Sequence, residues 1–142
     1  MSTPLVAAIL LMHRRGISLD LLIKRVAWLY EEIKHRKGEL SLSSAPSSAI
    51  ISQCLNFLSG FVNRKRDIFE PSVQAKKGDK SILMLTYYRN NLIHHFINDS
   101  LIACTILGIS NIKDVSQGVN VSDIWVKVCF LKDLLNNDFL VR

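Results

Sequence analysis

Apolar residues recur along the chain at helical spacing, and this pattern predicts a mainly α protein. Thr3-Pro4 is typical of a helix start and Gly16 of a helix stop, so residues 4–15 are expected to form a short, very apolar helix that must be buried. Ser18 is expected to cap a second helix, which ends over residues 36–38 and has one apolar face formed by Leu22, Val26, Leu29 and Ile33.

The residue pattern in the middle of the chain predicts one helix and one hairpin. A serine-rich loop over residues 39–48 leads to a third helix, expected over residues 48–59 and stopped by Gly60. Two short apolar runs flank the charged residues 63–67, which predicts a small β-hairpin with a basic tip. The polar residues 71–80 are expected to form a mobile surface loop.

The second half predicts a strand and two helices. Ile82–Leu85 is expected to be a short strand, and residues 86–107 one long helix. A connection over residues 111–120 then leads to a last helix, capped by Ser122-Asp123, whose apolar residues at helical spacing are Ile124, Val128, Leu131 and Leu135. The expected fold is therefore a helical bundle of about five helices with one small β-hairpin.

Length and charge indicate how this bundle is divided. A chain of 142 residues fits a single domain. Residues 1–80 carry 13 Lys and Arg against 7 Asp and Glu, whereas residues 81–142 carry 5 of each. We therefore expect one domain over residues 1–142, with a basic helical half over 1–70, the loop over 71–80 and a neutral helical half over 81–142.

The basic residues of the first half occur in clusters, which attract phosphate groups. The candidate anion contacts are Arg14, Arg15, Arg64, Lys65 and Arg66. A lipid headgroup, a nucleic acid or a small phosphorylated substrate would each satisfy such clusters, and so would simple solvation, because Lys and Arg are also usual in the last turn of a helix.

The cysteines and the apolar runs bear on the cellular compartment. Cys54, Cys104 and Cys129 lie in apolar runs without C-x-x-C spacing, which favours a reducing compartment. No apolar run approaches the ~18–20 residues of a spanning helix, so we expect no transmembrane segment. The basic residues follow the first apolar run instead of preceding it, so we expect no signal peptide.

His94 and Asp99 are weak catalytic candidates, because their H-x-x-x-x-D spacing occurs where a histidine base and an orienting aspartate serve acyl transfer. On one continuous helix these side chains would lie about 140° apart and would not meet. His94 and His95 are adjacent and lack a ligand at i+4, so no metal site is expected.

The predicted order of three helices and a basic hairpin over residues 4–70 is found in winged-helix DNA-binding modules. A recognition helix should present Arg, Lys, Asn or Gln to base edges. The third helix offers only Ser52, Gln53 and Asn56. Binding of nucleic acid is therefore poorly supported, although the hairpin could contact phosphates.

A polar stretch at the start of the predicted long helix carries a family resemblance. The stretch contains Tyr87, Tyr88, Arg89, Asn90, Asn91, His94 and Phe96. Together with residues 7–33, it resembles the C-terminal region of glycerol-3-phosphate and dihydroxyacetone-phosphate acyltransferases, in particular the animal mitochondrial type. Residues 39–80 carry little of the resemblance. The motif residues are expected to be structural, since polar groups inside a core must find partners.

The resemblance implies a role in glycerophospholipid synthesis. Members of the family transfer an acyl group from acyl-CoA, or from an acyl carrier in bacteria, to the 1-hydroxyl of glycerol 3-phosphate. Their catalytic histidine and aspartate lie in a separate domain that precedes this region, so no catalytic residue can be carried over. Asp99 stands where bacterial members tend to have proline, which makes its spacing from His94 a coincidence.

The resemblance also implies partners and a location. An upstream acyltransferase domain is the expected partner, and the first helix is expected to be exposed and to pack on it. No cofactor is expected beyond acyl-CoA as a co-substrate of the whole enzyme. The mitochondrial outer membrane is the implied location, with an anionic membrane surface as a second partner and nucleic acid not expected.

Overall fold

The computed structural model describes residues 2–36, 44–71, 78–110 and 118–136. Within these ranges the chain forms six α-helices, one 3-10 turn and a three-stranded antiparallel sheet. The predicted class, mainly α with a small hairpin, is confirmed. The elements group into two compact units, Met1–Ile93 and His94–Arg142.

The first helix, α1 (Thr3–Met12), lies at the centre of the first unit. Every residue from Pro4 to Leu11 is buried, as expected for a helix that is apolar all round. It packs against α2 (Leu19–His35), α3 (Ser48–Phe57) and α4 (Gly78–Asn90). The prediction of an exposed first helix was therefore wrong, because elements of the same unit cover it on all sides.

A small sheet closes one side of this unit. Strand β2 (Val62–Lys65) and strand β3 (Ile68–Pro71) form the predicted hairpin. Strand β1 (Ile17–Ser18), which the sequence pattern did not predict, pairs with the other edge of β3. The order of elements from α1 to β3, with β3 in the middle of the sheet, is that of a winged-helix scaffold.

The helix α2 follows the prediction closely. The side-chain oxygen of Ser18 accepts a hydrogen bond from the backbone N–H of Leu21, and Arg36 caps the other end. Its buried residues are Leu22, Val26, Leu29 and Ile33, which are four or three residues apart, and Tyr30 beside them. Burial of this one face against α1 orients the helix.

Residues 82–85 lie inside α4, so the predicted strand was wrong. A run of four apolar residues is compatible with a strand or with a helix. The burial pattern here has the helical period, because Ser81 and Leu85, four residues apart, are buried while Leu83 is exposed. Of the predicted loop 71–80, residues 78–80 begin α4 and residues 72–77 lie outside the described ranges.

The predicted long helix over residues 86–107 is broken. The N–H groups of Asn91 and Leu92 bond to carbonyls three residues back, at 3.2 Å and 2.9 Å, which tightens the end of α4. A single 3-10 turn, Ile93–His95, follows, and α5 (Ile97–Ser110) starts after Phe96. Two consecutive asparagines, which are poor helix formers, mark the break.

The last helix is α6 (Val121–Leu135), which packs against α5 in the second unit. Its cap is Asn120, whose side-chain oxygen accepts from the N–H of Ser122 at 3.0 Å, so the predicted Ser122-Asp123 cap was displaced by two residues. Residues 111–117 of the predicted connection and residues 39–43 of the predicted serine-rich loop lie outside the described ranges.

Candidate functional site

The turn between α1 and β1 carries the first basic cluster. His13 ends α1, and the N–H of Gly16 bonds to the His13 carbonyl at 2.9 Å. This tight turn exposes Arg14 and Arg15 beside a shallow surface depression lined by residues 11–16. The turn depends on Gly16, whose φ of 108° belongs to the region that favours glycine.

The tip of the β2–β3 hairpin carries the second cluster. The Nε of Arg64 donates to the Arg66 carbonyl at 3.0 Å, and the Arg64 guanidinium lies 5.4 Å from the centroid of the Phe69 ring. The Nζ of Lys65 lies 2.7 Å from the Glu70 carboxylate. The Phe69 ring therefore orients Arg64, and the Glu70 carboxylate orients Lys65. The side chains of Arg64, Lys65 and Arg66 all remain exposed.

The sheet carries the two clusters at its two edges, since β3 lies between β1 and β2. Because Ile17 pairs with Phe69, the turn before β1 runs beside β3, and a Cβ on Gly16 would lie 3.9 Å from the Cβ of Glu70. We call the two clusters together the basic surface, and its residues are Arg14, Arg15, Arg64, Lys65 and Arg66. Asp67 and Glu70 are the carboxylates in the same hairpin, so the surface remains cationic.

The basic surface lacks the features of base readout. On the winged-helix scaffold, α3 takes the place of the recognition helix, and Ser52, Gln53 and Asn56 are exposed on it. The helix has no Arg or Lys to reach base edges. The cations lie on the hairpin and the turn, where they suit phosphate oxygens.

The Tyr87–Phe96 segment ties elements together. The ring of Tyr88 contacts Phe57 at the end of α3 edge to face, with 6.0 Å between centroids, and contacts Tyr87 at 5.7 Å. Arg89 donates to the Asn90 side chain at 3.2 Å. Tyr88 thus joins α4 to α3, a contact that sequence reasoning missed because Phe57 lies 31 positions earlier.

The predicted catalytic pair occupies two separate elements. His94 lies in the 3-10 turn, and Asp99 lies in the first turn of α5, where a carboxylate stabilises the helix dipole. The ring of His94 lies against that of His95, with centroids 3.8 Å apart. Partial burial, together with the neighbouring His94, lowers the pKa of His95 below its usual 6.5.

Within the described ranges, the His, Cys, Asp and Glu side chains form no metal-binding or disulfide site. There, no group of three His, Cys, Asp or Glu side chains could hold a metal ion. All three cysteines are free thiols, and the buried Cys54 accepts a weak hydrogen bond from Thr3 at 3.7 Å. Within the same ranges, none of the helices is both long and apolar enough to cross a bilayer.

Comparison with known proteins yields one family. Residues 1–142 match the family model described as the glycerol-3-phosphate acyltransferase C-terminal region. The rat protein glycerol-3-phosphate acyltransferase 1, mitochondrial, is 32% identical over 118 residues, which cover 78% of this chain and 14% of the rat protein. Bovine dihydroxyacetone phosphate acyltransferase is 24% identical over 149 residues, which cover 96% of this chain and 21% of that protein.

A bacterial relative extends the comparison. Glycerol-3-phosphate acyltransferase of Glaesserella parasuis is 28% identical over 121 residues, which cover 82% of this chain and 15% of the relative. The chain therefore spans between about one seventh and one fifth of the length of these three relatives.

Proposed function

Because the chain belongs to the family of glycerol-3-phosphate acyltransferase C-terminal regions, we propose that it is the non-catalytic, C-terminal part of a glycerol-3-phosphate 1-O-acyltransferase. The match of the family model to residues 1–142 is the observation that carries the proposal. The whole enzyme would transfer an acyl group from acyl-CoA to glycerol 3-phosphate. An upstream acyltransferase domain would supply the catalytic residues and would be the partner of this chain.

The surroundings of His94 and Asp99 fit a structural role. The His94 ring lies against that of His95, and Asp99 lies in the first turn of α5, where a carboxylate stabilises the helix dipole. The other motif residues described above form ring contacts and turns, which hold elements together.

A chimera tests the proposal. This chain replaces the aligned region of the rat mitochondrial enzyme, and CoA release from acyl-CoA is measured with and without glycerol 3-phosphate. We expect activity that depends on the acceptor, while the rat enzyme lacking the region serves as the inactive control. An inactive chimera in which both parts are folded would contradict the proposal.

The same chimera tests the candidate pair. His94→Ala should leave turnover close to that of the unmodified chimera, because we place catalysis upstream. The 142-residue chain alone should release no CoA above the enzyme-free rate. Turnover by the chain alone that His94→Ala abolishes would show instead that this pair is catalytic.

We further propose that the basic surface binds phosphate groups at an anionic membrane. Its five exposed cations lie on one small sheet and the turn that precedes it, and a juxtamembrane basic residue contributes ~1 kcal/mol to binding of anionic lipid. The mitochondrial outer membrane is the proposed location, a suggestion that rests on the relatives named mitochondrial. The phosphates of acyl-CoA share the chemistry of the headgroups and are the alternative source.

Sedimentation with vesicles distinguishes these sources. The chain should sediment with vesicles that contain phosphatidic acid and not with neutral phosphatidylcholine vesicles, and added salt should release it. Arg64→Glu with Arg66→Glu should abolish sedimentation, while Lys24→Glu with Arg25→Glu, an equal charge change on α2, should reduce it less. Equal sedimentation with both kinds of vesicle would contradict binding to anionic headgroups. Release of the chain from the vesicles by micromolar CoA would assign the basic surface to acyl-CoA.

A further inference from the structure

The helix α6 has apolar residues on two opposite faces. One face consists of Ile124, Val128, Leu131 and Leu135, which are half-buried in the second unit. The opposite face carries Val126, Phe130 and Leu134, which are 67%, 65% and 56% exposed. Steps of four residues advance only about 40° around a helix, so these three side chains form one ridge over two turns. We call it the outer ridge.

The outer ridge is more than scattered surface hydrophobicity. None of the α6 residues is buried, and Val121 and Trp125 are also largely exposed. Large exposed apolar patches mark interaction sites. Three anchors spaced at i, i+4 and i+8 suit the mode in which a helix enters an apolar groove of a partner.

The charges on α6 argue against a lipid surface as the occupant. Helices that lie in a membrane interface have a polar face rich in Lys and Arg. The charged residues of α6 are two lysines and two aspartates, namely Asp123, Lys127, Lys132 and Asp133. The helix therefore has no net attraction to anionic headgroups, in contrast to the basic surface on the first unit.

The length of the family members indicates a protein occupant. The aligned region is 14% of the rat relative, so most of such an enzyme lies outside the chain described here. We propose that the outer ridge is the docking surface for the acyltransferase part of the same polypeptide, an inference that rests on the proposed function. Phe130, at the centre of the ridge, is the expected anchor, because buried aromatic residues dominate protein interfaces.

Hydroxyl-radical footprinting tests the docking directly. The oxidation rates of Phe130 and Phe57 are measured by mass spectrometry in the isolated chain and in the rat chimera, both in the same detergent. Phe57 is an internal control of the same type, since it is 63% exposed but lies on α3. We expect the Phe130 to Phe57 rate ratio to be several-fold lower in the chimera.

Other occupants of the outer ridge would give different footprints. An unchanged Phe130 rate ratio in the chimera would overturn the proposal. A ratio that falls in the isolated chain as its concentration rises, together with a dimer mass by light scattering, would assign the ridge to a second copy. A fall only on addition of vesicles would assign it to lipid. Acyl transfer by the chimera is read separately, so an inactive chimera still reports the footprint.

A charged substitution adds a functional measurement. Phe130→Asp places a charge in the proposed interface and should lower acyl transfer by an active chimera several-fold, whereas Lys132→Ala, on the opposite side of α6 from Phe130, should not. The thermal midpoint of the isolated Phe130→Asp chain should remain close to that of the wild type, because the side chain is exposed. Full activity of the Phe130→Asp chimera would overturn the proposal.

Discussion

Gly16 lies against Ile68, so that a Cβ built on the glycine would stand 2.5 Å from the Cγ2 atom of the isoleucine. This close approach lets the turn after α1 run beside β3, and it brings Arg14 and Arg15 to the same sheet as the hairpin cations. One residue without a side chain therefore lets two basic clusters that lie about fifty positions apart in the sequence share one sheet.

Gly16→Ala should destabilise the first unit. The substitution combines an unfavourable positive φ with the contact to Ile68, and we expect a loss of roughly 1–3 kcal/mol in the free energy of unfolding. Gly60→Ala is the matched control, because nothing lies within 4 Å of its added Cβ. Urea denaturation measures both variants. Equal stabilities would show that the turn relaxes without cost.

Leu83 and Leu85 test the helical assignment of residues 82–85. Two positions apart on a strand, they would share a face, whereas on α4 Leu85 is fully buried and Leu83 is 67% exposed. Leu85→Ala should lower the free energy of unfolding by about 2–5 kcal/mol, and Leu83→Ala should change it by less than about 0.5 kcal/mol. Comparable losses in the two variants, measured by denaturation, would favour a strand.

Thr105 is a buried polar residue on α5 whose Oγ1 atom has no hydrogen-bond partner among the described residues. Burial of an unsatisfied hydroxyl is unfavourable, and valine has nearly the same shape. Thr105→Val should therefore raise the free energy of unfolding by roughly 1 kcal/mol. Thr105→Ser, which keeps the hydroxyl, should not stabilise the chain. A lower melting temperature for Thr105→Val would indicate that the hydroxyl has a bonding role.

Protonation of His95 should lower the free energy of unfolding as the pH falls. Its pKa is lowered in the folded chain, by partial burial first and by His94 second, so the unfolded chain binds a proton more readily. Between pH 6.5, its usual pKa, and the lower pKa of the folded chain, the free energy of unfolding should decrease as pH falls. Above pH 6.5 this residue should contribute no slope.

Comparison with variants isolates the effect of His95 from that of other titrating groups. His95→Gln should lose less stability than the wild type between pH 7.5 and pH 5.5, as followed by denaturation at each pH. His94→Gln should give an intermediate result, because it removes the second cause of the shift and leaves burial in place. A wild-type slope retained in His95→Gln would place the titration elsewhere.

The helices that the sequence predicted best are those with one clear apolar face or a strong cap. Ser18 and the spacing from Leu22 to Ile33 were sufficient to predict α2. The run Ile82–Leu85 was too short to separate a strand from a helix, and its burial against α1 decided the outcome. The break after Asn90 required the i→i−3 hydrogen bonds that the local sequence only suggests.

The candidate site was predicted in its parts and not in its assembly. Exposure of the five cations followed from their clustering, but their placement on one sheet depends on β1, a strand of two residues with no hydrophobic period of its own. The outer ridge was missed for a different reason. The Ile124 stripe explained α6 as an ordinary amphipathic helix, although Val126, Phe130 and Leu134 repeat the same spacing on the other side.

The central position of α1 also constrains how the first unit forms during synthesis. The residues of α1 leave the ribosome before those of α4, with which α1 makes its most extensive contact. The apolar surface of α1 therefore stays uncovered until more than sixty further residues have been synthesised. Pairing of such distant segments slows folding, and nascent chains with an uncovered apolar helix are natural clients for chaperones. The order of translation thus leaves the core of this unit incomplete until its last helix has been made.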